Sequence, residues 1–259
     1  MPAPPATPPL SWSLVVPVKV LARAKTRLAT LAGPDRPALA LAMAADTVAA
    51  ALASAQVARV IVVTDDPRAG RVLAGLGAVI VPDRPGRGLN PALRHGAAHA
   101  GSRWPLSGIA GLAADLPALR PAELSSALRA AARWPQAFVP DSAGSGTTLY
   151  AARPGTAFRP RFGPGSAARH RAAGAVELTR PGLASLRRDV DEPADLRGAR
   201  ELGLGTHTAA LAARLAAPGR DHDGDGPPPA VSGDGPPPAV SGDGRPPAGS
   251  GDSPPPARS

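Results

Sequence analysis

WSLVVPVKVLARAKTRL, residues Trp12 to Leu28, is the stretch from which the rest of the chain can be read. Leu14 to Val18 is a short apolar run rich in β-branched residues, the pattern of a buried strand. Pro17 has no N–H to give to a sheet ladder, so the strand is expected to end about there. A turn-like segment follows, carrying Lys19, Arg23, Lys25 and Arg27, and then an apolar helical pattern resumes. A strand that delivers cationic side chains and free amides to the start of a helix suits a polyphosphate. Lys19 and Lys25 are the only two lysines of an arginine-rich chain, and both fall in this one loop. The plainer reading of the same residues is a solvated basic turn.

With 259 residues the chain can build one α/β domain with a sizeable core plus tails. It has no cysteine, hence no disulfide and no thiolate zinc site, which fits a cytoplasmic location. No apolar run approaches the ~20 residues of a membrane helix, and the uncharged, Pro-rich MPAPPATPPL is not a secretory signal. A net charge of +9 and a pI near 11.4 raise the question of nucleic acid. The arginines are scattered, however, aromatics are few and no nucleic-acid motif is present. The excess is read as arginine bias together with a need for anionic ligands, so neither nucleic acid nor membrane is expected as a partner.

Outward from the first strand, strands and helices alternate. Asp35 to Ala55 is alanine- and leucine-rich and predicts a long helix, and Arg59 to Thr64 predicts a second buried strand. That strand closes on Thr64-Asp65-Asp66, which either presents a hydroxyl and carboxylate at the ligand-binding edge of a parallel sheet or caps the helix Pro67 to Leu76. Gly77 to Val81 is a third strand. The loop Pro82 to Asn90 carries two glycines, Gly86 and Gly88, that let backbone approach a ligand. Asn90 either caps the next helix or reads a base edge. Ser107 to Ala114 is a fourth strand running straight into Asp115, a carboxylate suited to Mg²⁺. A helix over Pro121 to Arg133 and strands over Ala137 to Pro140 and Thr147 to Ala152 follow. Gly163-Pro164-Gly165-Ser166 then precedes a helix, so its amides and the Ser166 hydroxyl can meet an anion, with Thr148 adding a hydroxyl from the neighbouring strand. Past a strand at Ala175 to Leu178, Asp189 and Asp191 stand two apart. In an extended segment both carboxylates face one way, toward a cation or simply from a surface turn. Two helices, Asp195 to Leu202 and Thr206 to Ala217, complete the domain.

Composition changes abruptly near Pro218. Four nine-residue units, DGDGPPPAV, SGDGPPPAV, SGDGRPPAG and SGDSPPPAR, precede Ser259. Each holds a Pro pair or triplet and lacks the apolar alternation that a calcium-binding roll buries, so an extended tail is expected. The expected organisation is a disordered leader over 1–11, a catalytic α/β domain over 12–217 and a disordered repeat tail over 218–259.

Taken in order, Val16-Pro17-Val18-Lys19 with Ala24-Lys25-Thr26-Arg27-Leu28, Gly88-Leu89-Asn90, Ala114-Asp115-Leu116-Pro117, Phe162-Gly163-Pro164-Gly165-Ser166 and Asp189-Val190-Asp191 resemble a known family. It is the phosphoenolpyruvate or 2-phospho-L-lactate guanylyltransferase family of coenzyme F420 biosynthesis, related to molybdenum-cofactor guanylyltransferases. The match spans roughly residues 12 to 205. It implies a three-layer, Rossmann-like nucleotidyltransferase fold with a mostly parallel sheet. One departure stands out: the related cofactor enzymes open with a Gly-rich loop, whereas Lys19 and Lys25 sit in a loop without glycine, so side-chain charge must carry more of the phosphate binding.

The resemblance further implies GTP across the carboxyl ends of the strands. Lys19, Lys25, Arg27 and Thr64 would serve the nucleotide, and Gly88 and Asn90 the guanine. Asp115, Asp189 and Asp191 would hold Mg²⁺, with Lys19, Lys25 and Asp115 as the catalytic set. The small phosphorylated three-carbon acid would meet Thr148, Gly163 and Ser166. GMP would pass to phosphoenolpyruvate, the acceptor favoured by a composition typical of GC-rich genomes, or alternatively to 2-phospholactate. A molybdopterin or sugar-phosphate acceptor on the same fold is the other reading, and an enzyme that takes over the product is a possible partner.

Overall fold

The computed structural model describes residues 10–216, in which seven strands form one sheet in the order β3-β2-β1-β4-β6-β5-β7. The expected leader, except for residues 10 and 11, and the expected repeat tail lie outside the described residues. The strands are β1 (Trp12–Pro17), β2 (Val57–Val63), β3 (Val79–Val81), β4 (Gly108–Leu112), β5 (Gln136–Pro140), β6 (Thr147–Ala152) and β7 (Val176–Glu177). The helices are α1 (Ala29–Ala32), α2 (Arg36–Leu52), α3 (Pro67–Gly75), α4 (Leu89–Arg103), α5 (Pro121–Ala131), α6 (Ser166–Ala172), α7 (Pro193–Leu202) and α8 (Thr206–Ala216).

β1 is central because both of its faces are apolar. Leu14 and Val16 pack with Leu41, Ala44 and Val48 of α2, Leu73 of α3 and Leu128 of α5. Val15 points the other way, among Ile61, Val63, Leu93 of α4, Phe138, Tyr150 and Phe162. Two helical layers therefore enclose the sheet. α4 lies unusually close to it at Gly96, where an added Cβ would collide with Val15 and Val63.

β1 pairs in parallel with β2 and β4, β2 with β3, and β5 with β7. Only β6 among the described strands runs against its neighbours β4 and β5. β1, β4 and β5 thus end at the rim where β6 begins. That topology brings the segments after Pro17, Leu112 and Pro140 to the start of β6 at Thr147, at the carboxyl edge where open α/β sheets bind ligands. The expected strand at Leu14 to Val18 begins two residues earlier and does stop at Pro17.

Candidate active site

The segment between β1 and α1 is built from short 3₁₀ turns at Leu21–Arg23 and Thr26–Leu28 rather than one continuous helix. Its first turn is tethered from two sides. The Leu21 N–H donates to Asp66 Oδ2 at 2.9 Å, and Arg36 donates to the carbonyls of Ala22, at 2.9 Å, and Ala24. Directly after the tethered turn Lys25 takes φ = +53°, the only left-handed non-glycine residue among those described. A side chain in this region costs about 1–2 kcal/mol. The loop without glycine still needs a left-handed residue, and Lys25 supplies it while carrying the charge.

That backbone aims the Lys25 ammonium into a group of carboxylates. It donates to Asp115 Oδ2 and, at 2.7 Å, to Asp191 Oδ1. Burial works against the charge of Lys25, but the two carboxylates outweigh it and hold its pKa above the ordinary lysine range. Asp115 follows β4. Asp189 and Asp191 are brought to it by the Val190 N–H, which donates to the Asp115 carbonyl at 3.1 Å. Val190 itself is fully buried against Leu28, Leu39, Met43 and Ala199. With Val190 turned inward, the residues on either side turn to the cleft, which is the physical content of the Asp-Val-Asp spacing. Burial, then the charges of Asp115, Asp191 and Asp141, push the Asp189 carboxyl up to about 7. More negative charge meets here than one ammonium neutralises.

These groups line a cleft of about 720 Å³, whose wall runs from Lys19, Lys25 and Arg27 past Asp115, Asp189 and Asp191 to Thr147, Gly163 and Ser166. Arg27 is exposed and pairs with Glu192 at 3.2 Å, at the side of the cleft formed by the Asp-Val-Asp segment. A second groove of about 350 Å³, beside α2 and α8, contains no carboxylate and lies away from this chemistry.

Five expected site residues are placed otherwise. Ser166 is buried, its hydroxyl donates to Thr147 Oγ1 at 2.9 Å and its N–H to the Gly163 carbonyl at 3.0 Å, so neither is turned to an anion. Thr64 is buried, and its hydroxyl accepts from the Asp66 N–H at 3.1 Å. Asp66 in turn caps α3 through the N–H groups of Arg68 and Ala69, at 3.0 and 2.9 Å, so the capping reading of this corner holds. Gly88, at φ = +100°, opens α4 without lining the cleft. Asn90 donates to the Phe162 carbonyl at 3.0 Å and accepts from its N–H at 2.8 Å. Its amide edge is spent on holding the backbone beside Gly163 and is not turned to a base. Thr148 is fully buried, with its hydroxyl toward the Val139 carbonyl at 3.5 Å. Its neighbour Thr147 is the threonine that lines the cleft, because successive side chains of a strand face opposite ways.

A family model described as the MobA-like NTP transferase domain matches residues 39–196. The phosphoenolpyruvate guanylyltransferase of Thermomonospora curvata is 64% identical over 208 residues, which span 80% of this chain and 91% of that one. The chain belongs to the phosphoenolpyruvate guanylyltransferase family. The family member of Streptomyces avermitilis is 61% identical, over 83% of this chain and the whole of its own length. That of Streptomyces coelicolor is 59% identical, over 80% and 98%. Among solved structures, one from Desulfovibrio desulfuricans G20 described as a nucleotide-diphospho-sugar transferase covers 74% of this chain and 96% of its own at TM-score 0.54. At 17% identity it speaks for the fold alone. No helix among the described residues is long and apolar enough to cross a membrane.

Sequence reasoning missed His170 altogether. It is fully buried behind Thr147, and burial, with the charges of Arg169 and Arg161, lowers its pKa to about 4. The His at the fifth position of α6 was legible only as part of a basic run. Because the folded pKa lies below the unfolded value of 6.5, the unfolded chain binds more protons between the two. The stability that neutral His170 contributes is therefore complete above pH 6.5 and lost as pH falls toward 4. Urea midpoints measured at about pH 7 and about pH 4.5 are expected to fall further for wild type than for His170→Gln, which has no such proton to gain.

Proposed function

We propose that this protein transfers GMP from GTP to phosphoenolpyruvate, forming enolpyruvoyl-2-diphospho-5'-guanosine and pyrophosphate, a step of coenzyme F420 biosynthesis in the cytoplasm. The observation that carries this reading is the meeting of Lys25 with Asp115 and Asp191 at one wall of the cleft. Cationic side chains and cation-binding carboxylates thereby converge on the place where a triphosphate would lie. A phosphate oxygen of the acid attacks the α-phosphorus of GTP. The new P–O bond forms as the bond to the β-phosphate breaks, and pyrophosphate departs with its electron pair. The attacking oxygen is already ionised near neutrality, so no strong general base is needed. The protein's task is alignment and neutralisation of crowded negative groups.

Lys19 and Arg27 flank the triphosphate, and Lys25 meets the phosphates undergoing displacement. Thr147 and Gly163 face the carboxylate or phosphate of the acid. The residues also fit a hard divalent cation such as Mg²⁺: Asp115, Asp189 and Asp191 are all oxygen donors, and burial, with the neighbouring carboxylates, raises the Asp189 pKa, which a bound cation would offset. Among the described residues no three such groups form a ready-made metal cage, since Lys25 bonds to two of them. When bound, the cation would supply charge neutralisation at the α-phosphate and the leaving pyrophosphate.

Mass spectrometry of products from the protein, GTP and Mg²⁺ with phosphoenolpyruvate, 2-phospholactate or a sugar phosphate tests the assignment. Phosphoenolpyruvate is expected to give the guanylylated enol acid. Pyrophosphate release with a sugar phosphate alone would overturn the assignment.

A further inference from the structure

His170 does not line the cleft but lies directly behind Thr147 and Phe162, which do. Tyr150 stacks on its ring at 4.6 Å, and the rings of Phe138 and Phe162 lie at 5.5 and 5.8 Å. Both ring nitrogens are engaged. Nε2 faces the backbone N–H of Arg161 at 2.9 Å and must accept from it, so that nitrogen carries no proton. The proton of the neutral ring is then on Nδ1, which donates to Thr147 Oγ1 at 3.0 Å. Ser166 Oγ donates to the same oxygen at 2.9 Å. The Ser166 amide is also committed, to the Gly163 carbonyl at 3.0 Å. Two donors occupy both lone pairs of the Thr147 hydroxyl, leaving its own proton as the one the group has to offer. Of the three side chains, Thr147 is the least buried, at 8% exposed, against 1% for Ser166 and 0% for His170.

We infer that His170 is a positioning residue for the acceptor: without touching substrate, it turns the Thr147 hydroxyl proton into the cleft toward an anionic oxygen of the phosphorylated acid. A threonine hydroxyl left to rotate can present a lone pair, which repels an anion. Donors on both lone pairs remove that orientation. The inference rests on the guanylyltransferase reading of the cleft and adds to it a buried residue that selects for a negatively charged acceptor group.

Two amide replacements separate the two sides of the imidazole. Asparagine places its N–H near Nδ1 and keeps the bond to Thr147, whereas glutamine reaches the Nε2 position and keeps only Arg161. His170→Gln is expected to raise KM for phosphoenolpyruvate about tenfold or more while KM for GTP moves less than about twofold. His170→Asn is expected to stay within about threefold of wild type for both substrates. Thr147→Val should raise the acceptor KM similarly, and adding His170→Gln to it should change nothing further, because one residue acts through the other. A wild-type acceptor KM in His170→Gln, or a double variant whose effect is the product of the singles, overturns the inference. Should His170→Asn fail to fold, as a thermal melt would show, the cycle between Thr147→Val and His170→Gln decides by itself. A wild-type protein that transfers GMP to neither acid overturns the underlying reading instead.

Discussion

Lys25→Ala is expected to lower kcat for GMP transfer by about 100- to 1000-fold, with the fold retained. Lys25 is the cation set deepest in the cleft, held among the carboxylates by two charge-assisted bonds and by its left-handed backbone. Removing it has two consequences of the same sign. The phosphates lose a pre-aligned positive charge in the transition state, and Asp115, Asp189 and Asp191 are left to repel one another. The first consequence dominates kcat at saturating Mg²⁺, because added cation relieves the repulsion but cannot replace an ammonium on the phosphate. Single-turnover rates at saturating GTP, phosphoenolpyruvate and Mg²⁺ measure it. A rate within about threefold of wild type would place Lys25 outside the chemistry and leave it a structural counter-ion.

Asp115→Asn is the companion experiment and reports on the cation. The substitution removes a negative charge at near-constant shape. The half-maximal Mg²⁺ concentration is expected to rise about 10- to 100-fold, and kcat to fall with it. The fold should survive, because Asp115 supports the neighbouring segment through its backbone carbonyl, which accepts from Val190, and asparagine retains that carbonyl. Mg²⁺ titrations of turnover, with thermal melts run alongside, check both parts. An unchanged Mg²⁺ dependence would move the cation to Asp189 and Asp191 alone. Opposite outcomes for the two variants are informative. Loss in Lys25→Ala at every Mg²⁺ concentration, with partial rescue of Asp115→Asn by excess Mg²⁺, separates the work of the ammonium from that of the ion.

Much of the architecture was legible because its signals are local. β1 reads as a buried strand from five consecutive apolar residues, and Pro17 marks its end by lacking an N–H. The long Ala/Leu helix and the acid-terminated fourth strand follow from period and composition alone. The Asp-Val-Asp segment was legible in its spacing, though the sequence left open whether both carboxylates face a cation or solvent. Burial of Val190 and its bond to the Asp115 carbonyl resolve that choice. Three of the misplaced residues share one cause. Thr64, Asn90 and Thr148 are polar groups beside a cleft, and only the partner across space tells whether a polar group is spent or free. Asn90 finds its partner 72 residues away at Phe162, a separation that no local pattern encodes.

From sequence alone come the alternation of strands and helices, the placing of both lysines in the first loop, and the presence of aspartates at Asp115, Asp189 and Asp191. Those depend on residue type and on neighbours a few positions away. Tertiary structure decided which of the polar groups meet. The antiparallel β6 sets Thr147 at the rim and turns Thr148 into the core, and a left-handed Lys25 reaches two acids 90 and 166 residues distant. His170 stays neutral well below the ordinary histidine pKa, and its proton is fixed in direction, only once aromatic rings and the Arg161 amide enclose it. Proton direction and charge compensation are properties of three-dimensional neighbours, and they exist only after the chain has closed on itself.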